Sequence, residues 1–354
     1  MKSDIPGKTS EGLGYMMPAE WEKHEGIWLA WPHDPDTFPD RVEEVENIYV
    51  QIIKSILESE QVHLLVKDDP MKIRVTRVFE QNNINCDKIH FFIFDYADVW
   101  IRDYGPIFVT SKQKDSLAMV HWRFNAWGEK YDELIKDTAI PARINRTMQL
   151  PCFDPQMVLE GGSIDVNGKG TLLTTEQCLL NCNRNPDLSK QEIEDKLKGY
   201  LGVTNIIWLR NGILGDDTDG HIDDIARFVN PTTIVCAYEE DMSDDNYLFL
   251  KENYELLLEA KDQDGNQFNI IKMPMPGFVG DEEGRLPASY TNFYIGNTVV
   301  LVPVFGHDND QQALDIIKNV FQGRTVVGIA CTDLVYGFGA IHCITQQQPA
   351  LDEF

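Results

Sequence analysis

The 354-residue chain has no apolar run of the ~18 to 20 residues that a membrane-spanning helix needs. Its longest apolar stretch, residues 298–305, is strand-sized and interrupted by Pro303. The opening Met1-Lys-Ser-Asp-Ile-Pro-Gly7 lacks the apolar centre of a secretory leader. Cysteine is sparse: seven scattered residues are too few for a disulfide framework, so a reducing, cytoplasmic setting is expected. Cys178 and Cys182 have no second Cys/His pair at zinc-site spacing and read as packing. Basic residues are outnumbered, 31 Lys and Arg against 57 Asp and Glu, for a net charge of −26. That surface repels nucleic-acid phosphates and anionic lipid, which excludes both as partners, and it attracts cations. No phosphate loop or dinucleotide-binding glycine fingerprint occurs, and no Gly/Ser-rich linker divides the chain.

With 43% apolar residues and 25% charged ones, the chain can build a sizeable core. Short β-rich runs dominate, at 27–31, 62–66, 90–94, 107–110, 117–123, 171–174, 206–209, 226–229, 233–237, 269–273, 293–295, 298–304 and 325–329. Amphipathic helical stretches at 41–57, 71–81, 190–201, 244–260 and 310–321 alternate with them, which indicates an α/β fold. Four times a strand enters a polar turn and returns as a second apolar strand, near 112–114, 167–170, 230–232 and 296–297. Those turns recur every ~55 to 66 residues with helices between them, which suggests about five copies of a hairpin-plus-helix unit. Residues before 17 and after 349 read as arms.

Acidic and aromatic residues gather where the hairpins begin or end. Cys343 closes Gly337-Phe-Gly-Ala-Ile-His-Cys343, where glycines allow close backbone approach to a ligand. An isolated cysteine is usually a small buried hydrophobe, and as a nucleophile it needs activation, because only the thiolate attacks. His221 and Asp223, two apart on a strand, would share a face roughly 6 to 7 Å from each other. Asp216, Asp217, Asp219, Asp223 and Asp224 crowd the same stretch. An EF-hand is excluded there, because Ala226 falls where the bidentate glutamate belongs; another calcium site or an organic cation stays open. Trp100 and Asp103 have an odd offset, so they need a curved loop to face one ligand, with Trp100 as aromatic wall or core residue. Glu160, followed by two glycines, is either a turn residue or the carboxylate that holds the ring of His221.

One cysteine, one histidine, several carboxylates and a tryptophan suit substitution at a guanidinium carbon. The guanidinium is permanently charged and resonance makes its carbon a poor electrophile. Two carboxylates can grip its nitrogens and hold the carbon over a sulfur. The cation in turn favours the thiolate, and a histidine can pass a proton to departing ammonia and take one from water.

The sequence resembles the agmatine deiminases, which are grouped with the bacterial-type peptidyl-arginine deiminases in the guanidino-group-modifying (pentein) superfamily. The resemblance rests on ordered segments that run through nearly the whole chain. Among them are Met17-Pro-Ala-Glu-Trp-Glu-Lys-His, Trp100-Ile-Arg-Asp103, Phe124-Asn-Ala-Trp-Gly128, Glu160-Gly-Gly162, Asn183-Arg-Asn-Pro186, Asp219-Gly-His-Ile-Asp223, Arg285-Leu-Pro-Ala-Ser-Tyr290 and Ile341-His-Cys-Ile-Thr-Gln-Gln347. It implies one domain over residues 1–354, an α/β propeller of five ββαβ units around a pseudo-fivefold axis. It also implies hydrolysis of agmatine to N-carbamoylputrescine and ammonia, in putrescine and polyamine biosynthesis, with no metal and no organic cofactor. By position, Cys343 matches the nucleophile, His221 the acid/base, and Asp103 with Asp223 the guanidinium pair. Glu160 matches the histidine partner, Trp100 the wall along the methylene chain, and Asp217 the contact to the distal amine. Two segments depart from the family's usual letters: Gly337-Phe-Gly-Ala340 stands for Gly-Gly-Gly-Asn, and Thr218-Asp-Gly-His-Ile-Asp-Asp224 for Thr-Asn-Gly-His-Val-Asp-Asn.

The expected partner is thus a small cationic guanidino compound, with room for a homo-oligomer (dimer or tetramer). Arginine or peptidyl-arginine is the alternative substrate; it needs an anchor for its carboxylate, for which Arg102 is a candidate. Amidino transfer to an amine stays open, as does a non-catalytic pentein binding a polyamine or a protein. A papain-like thiol hydrolase fits worse, because the cysteine sits at the wrong end of the chain.

Overall fold

A computed structural model describes residues 8–351 of the chain; residues 1–7 and 352–354 lie outside the described residues. Alternating helices and strands form five sheets of three or four strands and one short hairpin, Gly280–Asp281 with Gly284–Arg285.

Four sheets share one plan, an antiparallel hairpin whose second strand pairs in parallel with a third strand. They are Ile107–Ser111, Ser116–Val120 and Cys152–Phe153; Asp165–Val166, Thr171–Thr175 and Asn205–Leu209; Ala226–Asn230, Thr233–Tyr238 and Asn269–Pro274; and Tyr294–Ile295, Val299–Val304 and Thr325–Ala330. A parallel return needs a crossover, and helices Ile140–Met148, Lys190–Leu201, Tyr247–Glu259 and Asp310–Val320 supply it. The hairpin turns fall where the polar breaks in the sequence placed them. Strand and helix boundaries agree with the periodicity to within a few residues, as at Lys190–Leu201, where Ser189 and Glu192 form a capping box and Gly202 (φ 67°) ends the helix.

The remaining sheet follows the same plan with a different connection. Its antiparallel pair joins the two ends of the chain, with Gln346–Pro349 against His24–Ala30, before Gln61–Val66 and Ile89–Ile93 add in parallel. The C-terminal strand therefore anchors Cys343 three residues upstream.

Of the expected arms, residues 1–7 and 352–354 lie outside the described residues, and the described parts, 8–16 and 350–351, pack against the sheets. Ser10 is buried and its hydroxyl donates to the Tyr200 carbonyl, Met16 bridges to Thr110, and Ala350 N–H donates to Lys23 O. Short polar segments of this kind carry little periodic signal, yet their backbone groups are satisfied by neighbouring sheets. The largest apolar cluster takes in Trp28, Trp31, Tyr49 and Phe79 and runs on through Trp100, Phe293 and Ile341, so the core reaches up to Cys343. Among the described residues no helix is long and apolar enough to cross a membrane.

Candidate active site

Trp100 and Asp103 sit on a single helical turn, Ile101–Tyr104, with Trp100 at its N-cap, and not on a curved loop or strand. Residues three apart on a helix lie on one side, which removes the odd-offset difficulty. The strand expected for His221 and Asp223 is likewise a 3₁₀ turn, Ile222–Asp224, capped by His221. Asp216 builds that turn: its Oδ2 accepts from the Gly220 and His221 N–H groups, and its Oδ1 from Thr218.

These two turns and the Gly161–Ser163 turn after Glu160 meet around Gly162. A Cβ placed on Gly162 would fall 2.6 Å from His221 Nδ1, 2.8 Å from Asp103 Oδ1 and 3.2 Å from Asp223 Oδ2. Only a residue without a side chain permits that convergence. Cys343 Sγ lies 3.9 Å from Asp223 Oδ2, and His221 Nδ1 lies 3.7 Å from Asp103 Oδ1. Gly162 N–H and Trp127 Nε1 donate to the two oxygens of Asp103, at 3.0 and 2.9 Å. Asp223 Oδ2 accepts from His342 Nδ1 at 2.7 Å, while its buried Oδ1 has no partner among the described residues.

Asp103, Trp100 and Cys343 line a cavity of about 430 Å³. Gly339 separates the Trp100 ring from Cys343, since its Cβ would fall 2.5 Å from the ring and 3.0 Å from Cys343 Cβ. The mouth is strongly acidic, with Asp34, Asp36, Glu133, Asp217, Asp281 and Glu283 on the wall and Arg285 as its basic residue. Arg285 is committed to Asp244, at 2.8 Å. Asp217 reaches the cavity wall, where Tyr131 Oη and Lys130 Nζ contact its carboxylate. Arg102 is not at the mouth: it is buried, donating to Gln347 Oε1 and His342 O.

Glu160 stands near His221 but spends its Oε1 on Arg184 Nε, at 2.6 Å, and no Glu160–His221 hydrogen bond forms among the described residues. Glu160, Cys178 and His221 place donor atoms within 4.8 Å of one another, which by type could hold a metal ion. The buried guanidinium of Arg184 already supplies the positive charge there, which disfavours a second cation. The acids of 216–224 do not converge either: Asp219 pairs with Arg184 and Lys130, and Asp224 with Asn292.

Burial pushes the Cys343 thiol well above its usual range, and Asp223, Asp224 and Asp103 push it further. Burial also raises Asp103 to about 6, against the pull of His221. Asp223 is held below the usual carboxylate range: burial opposes this, but the His342 contact, then His221 and Arg227, outweigh it. Burial works against charge on His221 too, yet Asp103, then Cys178 and Glu160, keep the imidazole well above its ordinary value. Burial among carboxylates thus favours the protonated form of the Cys343 thiol.

Residues 16–349 match the model of the Porphyromonas-type peptidyl-arginine deiminases. The chain belongs to that family. A curated family relative, an agmatine deiminase of Medicago truncatula, is 36% identical over 96% of this chain and 97% of its own. The structure of an agmatine deiminase of Enterococcus faecalis catalysing its reaction superposes with a TM-score of 0.89 at 33% identity, covering 98% of this chain and 99% of that one. A cysteine-to-serine variant of the C. jejuni agmatine deiminase with substrate bound gives 0.84 at 33% identity, covering 94% and 96%.

Of the residues expected from the sequence, Cys343, His221, Asp103, Asp223 and Glu160 lie together, with Trp100 beside the cysteine and Asp217 at the rim. Trp127, Asn292, Glu20 and Arg184 were not among those expected. Glu20, Trp127 and Arg184 lie inside the family-like segments and Asn292 two residues beyond one, but none has a local pattern that betrays its long-range contact.

Proposed function

We propose that this protein is a hydrolase that deiminates agmatine to N-carbamoylputrescine and ammonia through a covalent amidino-cysteine intermediate. The observation that carries this reading is the meeting of His221, Asp103 and Asp223 around Gly162, with Cys343 Sγ 3.9 Å from Asp223 and with Asp103 and Cys343 lining an acid-walled cavity. Family relatives that are agmatine deiminases over nearly their full length support it.

Asp103 and the free Oδ1 of Asp223 grip the guanidinium nitrogens and hold its carbon over Cys343. Neutralising those two acids removes part of what raises the thiol, so on substrate binding the thiol proton passes to solvent and leaves the sulfur anion. Sulfur adds to the carbon. The His221 imidazolium gives a proton to one amino group, the C–N bond breaks, and ammonia leaves an amidino-thioether. Water then adds to that carbon while His221 takes one of its protons; the remaining hydroxyl proton passes to solvent as the C=O forms and the C–S bond breaks, giving the neutral ureido product and the Cys343 anion. Glu160 steadies the charge on His221, Trp100 lines the methylene chain, and Asp217 with the rim acids faces the distal amine. That rim favours an amine tail over the α-carboxylate of arginine, because its basic residue, Arg285, is already paired. We further infer one domain, residues 1–354, whose five sheets form the pentein propeller, acting in polyamine metabolism in the cytoplasm.

A ureido-product assay on agmatine, arginine and a C-terminal-arginine peptide tests the reading, with Cys343→Ala beside the natural protein. Agmatine should be preferred and the variant inert; preferential turnover of arginine rejects the substrate, and an active variant rejects the mechanism.

A further inference from the structure

Asn292, in the segment Ser289-Tyr-Thr-Asn292, lies against the sulfur. Its Nδ2 is 3.1 Å from Cys343 Sγ and 3.0 Å from Asp224 Oδ1. Its Oδ1 accepts from the His342 N–H at 2.9 Å and from the Cys343 N–H at 3.4 Å. Two backbone donors on Oδ1 settle the orientation of the amide, so both Nδ2 protons face acceptors. Asn292 is fully buried, and its neighbours bolt the segment in place: Ser289 Oγ donates to Asp224 O and Thr291 Oγ1 to Asp223 O. One short stretch therefore fixes the backbone of the guanidinium-facing turn and the rotamer of the cysteine together.

We propose that Asn292 is a catalytic residue that donates a hydrogen bond to the Cys343 sulfur and stabilises it as an anion at the moment of attack. This rests on the deiminase reading. The need is physical: three carboxyl groups surround the sulfur, Asp103, Asp223 and Asp224, and each opposes a second negative charge nearby. A bound guanidinium offsets two of them in the first half-reaction. When Cys343 leaves as the anion in the second, the product is a neutral urea and offers no such help. A fixed N–H aimed at sulfur works in both halves without reorganisation. Asp224 completes the device: its carboxyl oxygen takes the other Nδ2 proton and holds the amide plane on the sulfur.

The test measures Cys343 itself. In substrate-free natural protein, Asn292→Ala and Asn292→Asp, the rate of iodoacetamide alkylation at Cys343 is followed against pH by peptide mass spectrometry, which separates it from the other cysteines. Both variants should alkylate at least about tenfold more slowly near neutral pH, with Asn292→Asp slower still because it adds an anion. Their profiles should move to higher pH, and kcat for agmatine should fall about 10- to 100-fold with KM changed less than about threefold. Asn292→Asp keeps size and shape, so a melting temperature near that of the natural protein confirms its fold. An unshifted alkylation profile in a folded variant overturns the proposal. Shifted profiles with no turnover of any guanidine by the natural protein would instead overturn the deiminase reading and leave the role toward sulfur standing.

Discussion

His342 Nδ1 lies 2.7 Å from Asp223 Oδ2, and the opposite nitrogen of the same ring lies 2.8 Å from Glu20 Oε2. Both ring nitrogens of His342 are thus committed to carboxyl groups. Arg227 closes the chain, donating to Glu20 at 2.7 Å. The result is a buried line from Glu20 to Asp223, the acid proposed to grip the guanidinium. With Oδ2 claimed, Asp223 has one free oxygen, in a fixed place.

Replacing His342 should therefore act on binding before chemistry. In His342→Asn at most one of the two ring contacts survives, and Asp223 loses its strongest positive neighbour. A hydrogen bond to a charged group contributes about 1.5 to 3 kcal/mol, so KM for agmatine should rise by about 10- to 100-fold with a smaller change in kcat. Breaking one member of a buried charged chain also costs about 3 to 5 kcal/mol, so the melting temperature should drop clearly. Unchanged KM would show that Asp223 needs no anchor.

Burial lifts Asp103 to about 6, so the acid side of the activity profile is expected to follow this carboxyl. Protonated, it can no longer hold a guanidinium, so kcat/KM should fall as pH drops below about 6 and be retained above it. Trp127 Nε1, 2.9 Å from Asp103 Oδ2, favours the ionised form. Trp127→Phe keeps the ring and removes that donor; at about 1 kcal/mol for one hydrogen bond, the acid limb should move up by roughly half to one pH unit. A limb that stays in place would assign it to another group.

Four hairpins were legible because their turns are polar breaks between apolar strands. The closing pair was not. Gln346, Gln347 and Gln348 form its C-terminal strand, and they are held by side-chain bonds in place of apolar burial: Trp28 Nε1 donates to Gln348 and Arg102 Nη1 to Gln347. Hydropathy cannot see such a strand. The site was legible through residue types, with its local conformations misread. Trp100–Asp103 and His221–Asp223 were placed on a loop or strand by offset arithmetic, whereas tight helical turns let carboxylate and ring face one point without extended backbone. Glu20 and Asn292 act across 322 and 51 residues, and no local period encodes that.

Phe338 occupies the left-handed region (φ 68°) with nearly half its surface exposed, on the wall of the cavity. A bulky residue pays about 1 to 2 kcal/mol for that backbone, which glycine avoids. Phe338→Gly should therefore leave the melting temperature within a few degrees despite losing an aromatic ring. It should also widen the mouth beside Trp100. Kinetics on both substrates should show the agmatine-to-arginine preference falling by about 3- to 10-fold. An unchanged ratio would place selection entirely with the rim acids.

Gly162→Ala is the sharpest test of the convergence itself. The added methyl would fall 2.6 Å from His221 Nδ1 and 2.8 Å from Asp103 Oδ1, inside any tolerable contact. Gly162 is not among the residues with positive φ, so the backbone can accept alanine and the strain falls on the site. His221 and Asp103 must part by a few tenths of an ångström or more, and Asp223 with them. Misplacement approaching 1 Å costs on the order of 10²-fold in rate. The variant should fold, with a melting temperature a few degrees lower, and kcat/KM should fall by about 10²-fold or more. Full activity in a folded Gly162→Ala protein would mean that these three side chains do not work on one atom, and the deiminase chemistry assigned to them would fail.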